Sequence, residues 1–228
     1  MVKEKLSGRK LKKKILKLLT RQDFNKGLEE IRRLPARQAV NPLFSFLFSL
    51  DETVKWRCVT AFGEVVARLA QSDLESARII MRRLMWNLND ESGGIGWGSP
   101  EAMGEIMARS QELADEYAHI LVSYIRPDGN FLEHEALQRG VLWGLGRLAR
   151  IRPEVVEDAA VFLQPHLRSE DATLRGLAVW VAGALSNKST RAVLKSLAND
   201  KARCKIFSAG KLVELTVGDL AQEALIEA

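Results

Sequence analysis

The stretch Leu137-Gln-Arg-Gly-Val-Leu-Trp-Gly-Leu-Gly146 has related copies elsewhere in the chain, and this repetition decides the fold. Each copy carries an aliphatic residue nine positions before its last glycine, and small residues cluster just before that glycine. Small residues on a helix let a neighbouring helix approach closely, so the pattern predicts stacked helix pairs. The aligned glycines, at spacings of 41, 42 and 37 residues, are Gly63, Gly104, Gly146 and Gly183.

The first copy carries a more specific signature. It begins with Asp51-Glu-Thr-Val-Lys-Trp-Arg57 and ends with Ala61-Phe-Gly63. This pattern resembles HEAT-like helical repeats of the phycobilisome-lyase type, and the resemblance covers roughly residues 36–200 and the last helix. It implies an all-α fold, a right-handed α-α superhelix. It does not identify an activity, because such solenoids serve many functions.

The domain organisation follows from where the pattern starts and ends. We expect residues 1–35 to form basic N-terminal capping helices and residues 36–228 to form the repeat array. Near 205–217 the apolar residues alternate with a period of two, which predicts a small β-hairpin before a final helix at 218–227. Within the array, the pattern predicts a helix from Asn41-Pro42 to Leu50 and another over Glu154–Leu167.

The charge distribution is uneven. Residues 1–22 hold nine Lys or Arg and one acid, a net charge of +8, so the rest of the chain sums to −3 when the whole chain carries +5. We favour a capping helix whose polar side faces water, which a repeat array requires. The alternative is a basic arm that binds nucleic acid or an acidic membrane.

No apolar stretch of the sequence is long enough to cross a membrane. Neither Cys58 nor Cys204 has a second cysteine close to it in sequence. This is typical of reduced thiols, so we expect a cytoplasmic protein.

Four of the five tryptophans share one kind of repeat position. In HEAT-like repeats, the positions three and seven before the aligned glycine lie on the inner, concave side, so the resemblance implies a row of side chains there. Trp and Arg dominate binding hot spots, which makes the row a candidate partner surface. The competing interpretation is that the rings fill gaps between helices. The candidate row consists of Trp56, Trp97, Glu101, Arg139, Trp143 and Trp180.

A glycine-rich turn precedes one copy, in the stretch Asn89-Asp-Glu-Ser-Gly-Gly-Ile-Gly-Trp-Gly-Ser99. A phosphate-binding role is disfavoured because no strand precedes the turn, and because Asp90, Glu91 and Glu101 would repel an anion. We instead predict a shaped turn that places Trp97 and Glu101 on the inner face, with Asp90 and Glu91 available to a partner. Ser99 is expected to be the N-cap of the next helix.

The sequence offers little evidence for a catalytic site. His119, His134 and His166 are spread over different predicted helices, and no set meets the spacing of a metal site. Glu101 and Glu105, one helical turn apart, are expected to lie on a solvated face. We therefore predict no catalytic residue, no metal ligand and no cofactor.

Three functions remain in order of preference. The first is a non-enzymatic scaffold or adaptor that binds a protein partner on its concave face. The second is a DNA glycosylase for alkylated bases, a HEAT-like class of comparable length, with Trp97, Glu101, Arg139 and Trp143 around the base. The net acidic body opposes that role. The third is a lyase-like accessory protein that assists modification of a partner.

Overall fold

The computed structural model describes residues 7–89 and 96–227. Helices dominate this part of the chain, and most begin at a residue whose side chain accepts a hydrogen bond from the first turn, as Asp51 and Asp171 do. In chain order the helices are α1 (Gly8–Leu19), α2 (Phe24–Arg32), α3 (Ala36–Leu47), α4 (Glu52–Ser72), α5 (Leu74–Leu88), α6 (Ser99–Arg109), α7 (Gln111–Ser123), α8 (Glu135–Ala149), α9 (Gln164–Leu167), α10 (Ala172–Leu185), α11 (Arg191–Leu197) and α12 (Val217–Glu227).

Alternate helices stack into an inner layer. Helix α4 packs on α6, α6 on α8, α8 on α10 and α10 on α12, and we call these the inner helices. Helices α5, α7 and α11 pack beside them as the outer layer, while α1 to α3 cover the first inner helix. The predicted all-α solenoid is confirmed. None of the helices in the described ranges is long and apolar enough to cross a membrane.

Glycine sets the spacing of the inner layer at one contact. A Cβ added at Gly104 of α6 would lie 2.4 Å from the Cα of Gly144 in α8. That distance is far inside van der Waals contact, so a side chain at this point would force the two helices apart. The aligned glycine of the sequence repeat is therefore a packing requirement in this copy.

The first helix is amphipathic, as its period predicts. Ser7 caps it, and its lysines face solvent. Its apolar side joins the core through Leu11, Ile15, Leu18 and Leu19.

The predicted C-terminal hairpin is confirmed. Strand β1 (Arg203–Ser208) pairs antiparallel with β2 (Lys211–Thr216), and α12 follows directly. The turn residues Ala209 and Gly210 have φ values of 49° and 81°. Two positive φ values match the two-residue turn whose twist suits a hairpin.

Two predicted helices differ in the structure. The segment expected as one helix over Glu154–Leu167 forms 3₁₀ turns at Pro153–Val155 and Glu157–Phe162, followed by short α9. Pro165 has no N–H to donate, so a regular helix through this point would lose a hydrogen bond. The helix expected to start at Asn41-Pro42 starts at Ala36 instead and ends at Leu47. Pro42 lies inside it, held by the buried side chains around it.

Candidate functional site

The hairpin lies across the inner helices, and its two faces contact different elements because alternate strand residues point to opposite sides. On one face, Cys204 packs so close to Gly176 of α10 that an added Cβ there would lie 2.4 Å from the Cys204 Sγ. On the other face, the Phe207 ring stacks on Trp56 of α4, with centroids 4.9 Å apart and an interplanar angle of 7°. The hairpin thus links the last repeats to the first.

Three of the four tryptophans in the predicted row cluster together, and two of them, Trp56 and Trp143, contact the Phe207 ring. Trp143 lies 4.7 Å from Trp56 and 6.4 Å from Trp180, measured between ring centroids. The Trp143 Nε1 donates a hydrogen bond of 2.9 Å to the Phe207 carbonyl oxygen. Trp143 and Trp180 are only 3% and 8% exposed, so the chain's own hairpin occupies much of this row. Its role as a partner surface stays a prediction.

Trp97 lies apart from this cluster. Its side chain is 41% exposed, and its nearest described ring is His134, at a centroid distance of 6.4 Å. His134 is the N-cap of α8, where its Nδ1 accepts a hydrogen bond from the Ala136 amide. Asp90 and Glu91, the other predicted partner contacts of the turn, lie outside the described residues.

The aromatic cluster stands between two cavities on the inner face. The first has a volume of about 430 Å³ and is lined by residues of α4, α6, α8, α10 and the hairpin, including Glu101; we call it the Glu101 cavity. The second, of about 340 Å³, is lined by Glu105, three arginines and the hairpin turn; we call it the Glu105 cavity. Trp143 lines both.

Glu105 is fully paired. The residue is 3% exposed, and its Oε1 accepts a hydrogen bond of 2.7 Å from Arg109 Nε. Its Oε2 accepts one of 2.6 Å from Arg147 Nε, on α8. Arg109 also pairs with Glu64 of α4, so the cluster ties three inner helices together. The expectation of a solvated glutamate pair is wrong, because the arginines that satisfy Glu105 come from other turns and helices.

Glu101 is equally buried but only half paired. Its Oε1 accepts a hydrogen bond of 2.7 Å from Lys55 Nζ, while its Oε2 is buried without a partner among the described residues. The Lys55 ammonium also lies 5.2 Å from the Trp56 ring centroid. A Cβ added at Gly140 would lie 2.6 Å from Oε2, so the glycine makes room for this carboxylate.

Arg139 lines the same cavity from α8. Its guanidinium pairs with Asp171, yet its Nε is buried without a partner among the described residues. Burial pushes the pKa of Asp171 upward. Hydrogen bonds from the Leu174 amide and from Arg139 outweigh that effect, so the pKa lies below its usual 3.8. The aspartate is therefore a charged partner that holds Arg139 at the cavity.

Unpartnered polar atoms concentrate where α6 and α8 begin. Ser99 Oγ and Gln138 Oε1 are also buried without a partner among the described residues. The sequence predicts Ser99 as the cap of α6, but Gly98, with φ of 78°, occupies the cap and Ser99 is the first helical residue. Glycine suits this cap for two reasons: its φ is left-handed, and an added Cβ would lie 2.8 Å from the Leu47 carbonyl oxygen.

The thiol that lines the Glu101 cavity is poorly suited to act as a nucleophile. Cys204 lines the cavity, but burial raises the pKa of its thiol to about 11, which keeps the sulfur protonated and weakly nucleophilic near neutral pH. In the described ranges, no group of three or more His, Cys, Asp or Glu side chains could hold a metal ion.

Sequence reasoning missed three residues of this site. Lys55 neutralises Glu101, Gly140 makes room for it, and Phe207 forms the wall between the cavities. The Gly140-x-x-x-Gly144 spacing was an available signal, since small residues four apart mark a close helix contact. Lys55 and Phe207 had no comparable signal, because their partners are distant in sequence.

Comparison with known proteins agrees with this architecture and does not name a family. No protein-family model matches the sequence. An uncharacterised protein of Archaeoglobus fulgidus is 30% identical over 117 residues, which are 51% of this chain and 55% of that protein. The chain thus spans about half the length of the curated relative it matches.

Solved structures of similar fold include engineered helical repeat proteins. A designed armadillo repeat protein in complex with the peptide (KR)4 has a TM-score of 0.53 and 17% identity, with 95% of this chain and 98% of that chain covered. A computationally designed armadillo repeat protein for modular peptide recognition has a TM-score of 0.51 and 16% identity, covering 95% and 99%. At these identities the likeness shows the fold alone.

Proposed function

We propose that this chain is a non-enzymatic, HEAT-like adaptor that binds an extended segment of a partner protein in the Glu101 cavity. The observation that carries the proposal is the cavity itself: about 430 Å³, walled by four inner helices and the hairpin, with aromatic and polar side chains together. Binding sites are typically concavities of this size with a few convergent polar groups.

Two further observations support a peptide ligand. The described lining of the Glu101 cavity contains no histidine, and its thiol is held neutral by burial, so the site is better equipped to bind than to catalyse. Designed repeat proteins of similar fold include one in complex with a peptide and one made for modular peptide recognition. A helical repeat scaffold with a lined inner face suits the same kind of ligand.

The test is selection of peptides from a random display library on the immobilised full chain, followed by fluorescence polarisation with the selected peptides. Ala136 is exposed in the first turn of α8 and lines the cavity, so Ala136→Arg should obstruct it and weaken binding at least about tenfold. Ala192→Arg, at an exposed position on α11 away from the cavity, is the matched control. Failure to select any peptide, or equal loss in both variants, overturns the proposal.

The nucleic-acid alternative is separated by its salt dependence. Binding through the exposed lysines of α1 should weaken steeply as salt rises and disappear when Lys10, Lys13, Lys14 and Lys17 are changed to Gln. Duplex binding that survives these four changes and falls in Ala136→Arg would favour the DNA glycosylase hypothesis over the adaptor.

A further inference from the structure

The wall of the Glu101 cavity contains a buried carboxylate oxygen that has no hydrogen-bond partner among the described residues. Buried polar atoms in native proteins almost always have partners, and leaving one unpaired costs about 1–3 kcal/mol. Glu101 Oε2 is such an atom, and Gly140 preserves the space around it. The equally buried Glu105, on the same helix, has both oxygens paired. Of the two buried glutamates of α6, only the one at this cavity has an oxygen without a partner among the described residues, and that oxygen can accept a hydrogen bond from a ligand.

The charge around that oxygen favours a neutral ligand. Lys55 already balances Glu101, Asp171 balances Arg139, and Glu214 lies 3.3 Å from Arg203. The two remaining charges of the lining, on Glu52 and Lys205, are of opposite sign. A cationic ligand would approach the Lys55 ammonium, and an anionic one would approach the Glu101 carboxylate. Either would bring a charge into a partly buried site without a free counter-charge beside Oε2, which is costly.

The same wall also presents a donor that lacks an acceptor. Arg139, next to Gly140 in sequence, has its Nε buried without a partner among the described residues. The cavity wall thus holds one acceptor and one donor without partners among the described residues. Both atoms are buried, so a ligand reaches them through small movements of the Glu101 and Arg139 side chains. A primary carboxamide carries an NH₂ donor and a carbonyl acceptor in one plane, and it is neutral. Trp56 and Trp143 supply apolar walls for the methylene carbons that lead to such a group.

From this combination we infer that the Glu101 cavity selects an Asn or Gln side chain of the partner segment, whose amide N–H donates to Glu101 Oε2. This inference rests on the proposed function and adds the chemistry of its anchor residue. Lys55 acts as a positioning residue, because it holds the other carboxylate oxygen and so fixes which oxygen is presented to the ligand.

The test uses pools of N-acetylated hexapeptides with a free C-terminal carboxylate, in which one central position is fixed as Gln, Asn, Glu, Lys or Leu. Binding to the full chain is measured by competition against a labelled peptide selected from the display library. A hydrogen bond to a charged group contributes about 1.5–3 kcal/mol, so the Gln or Asn pool should bind about tenfold to a hundredfold more tightly than the others.

Glu101→Gln is the decisive variant. Lys55 needs an acceptor, so the carbonyl of the substituted side chain should turn toward Lys55 and its NH₂ group should take the place of Oε2. The site then offers a donor where it offered an acceptor, and the preference for the carboxamide pools should disappear. Glu105→Gln makes the same chemical change one turn along α6, in the other cavity, and should leave the preference intact.

The outcomes are distinguishable. Pools that bind without a carboxamide preference, or a preference that survives Glu101→Gln, overturn this inference and leave the adaptor function standing. Failure of every pool to compete with the bound labelled peptide also overturns the inference, whereas failure to select any labelled peptide overturns the proposed function itself. Circular dichroism and thermal unfolding of both variants establish that each is folded before binding is compared.

Discussion

Glu101 and Glu105 occupy the same face of α6, one turn apart, and each is 3% exposed, yet their surroundings differ. Glu105 gives both oxygens to arginines and thereby joins α4, α6 and α8. One oxygen of Glu101 accepts a hydrogen bond from Lys55, and the other, in the wall of a cavity, has no partner among the described residues. Burial of a carboxylate therefore does not indicate its role. The number of oxygens that the protein itself satisfies separates a structural glutamate from a candidate binding glutamate.

Each glutamate is also matched by a glycine on a neighbouring inner helix. A Cβ added at Gly63 of α4 would lie 2.5 Å from Glu105 Cγ and 3.1 Å from the Glu105 carbonyl oxygen. One added at Gly140 of α8 would meet only the carboxylate end of Glu101 among its nearest atoms. The first contact involves backbone, which cannot yield locally, whereas the second involves the end of a side chain.

The largest expected difference concerns removal of each carboxylate. Glu105→Ala should lower the free energy of unfolding by about 3 kcal/mol, because two partly buried arginines lose their shared partner. Glu101→Ala should lower it by only about 1 kcal/mol, since Lys55 alone loses a partner and an unsatisfied oxygen is removed. Urea unfolding of the two variants measures the difference. An equal loss of unfolding free energy in both variants would contradict the distinction between a structural Glu105 and a candidate binding Glu101.

The next largest expected difference concerns the two glycines that face these glutamates, Gly63 and Gly140. Gly63→Ala should destabilise the chain by about 2 kcal/mol, because the new methyl group displaces the backbone of α6. Gly140→Ala should change stability by less than about 1 kcal/mol, since Ala is the better helix former and the Glu101 side chain can move. Gly140→Ala should nevertheless abolish the carboxamide preference in the peptide assay. A variant that is stable and keeps the preference contradicts the assigned role of Gly140.

The smallest effect concerns the wall between the two cavities. Ala209 has a positive φ in the hairpin turn, which strains a residue with a Cβ. Ala209→Gly should therefore raise the free energy of unfolding by about 0.5–1 kcal/mol and increase the amide protection of strands β1 and β2 in hydrogen exchange. The control is Gly210→Ala, which introduces the same strain at φ of 81° and should lower both quantities. Equal protection in the two variants would mean that the turn does not govern the wall.

Much of the fold was predictable from the sequence because its signals are local. The glycine-aligned copies predicted the stacked helices, and the change to a two-residue period predicted a hairpin near 205–217, which the structure has at 203–216. Errors arose where a proline competes with the surrounding pattern. Pro165 interrupts the expected helix at 154–167, whereas Pro42 is tolerated inside α3 because buried neighbours hold that helix.

The site was predictable only in part. The repeat position correctly brought Trp56, Trp143 and Trp180 together, and the alignment singled out Glu101 and Arg139, which line one cavity. The sequence could not show that Phe207 would stack on Trp56, because hairpin and helix are far apart in the chain. It also gave no warning that Trp97 would lie apart from the other tryptophans.

The sequence by itself determined the repeat architecture, the amphipathic first helix and the hairpin, because each depends on residue period and turn chemistry within a short segment. Only the tertiary structure decided that both glutamates are buried and that one oxygen of Glu101 has no partner among the described residues. Helical period places Glu101 and Glu105 on one face without distinguishing them. Their difference comes from Lys55 and Arg147, which are 46 and 42 residues away in sequence and meet α6 only when the repeats stack.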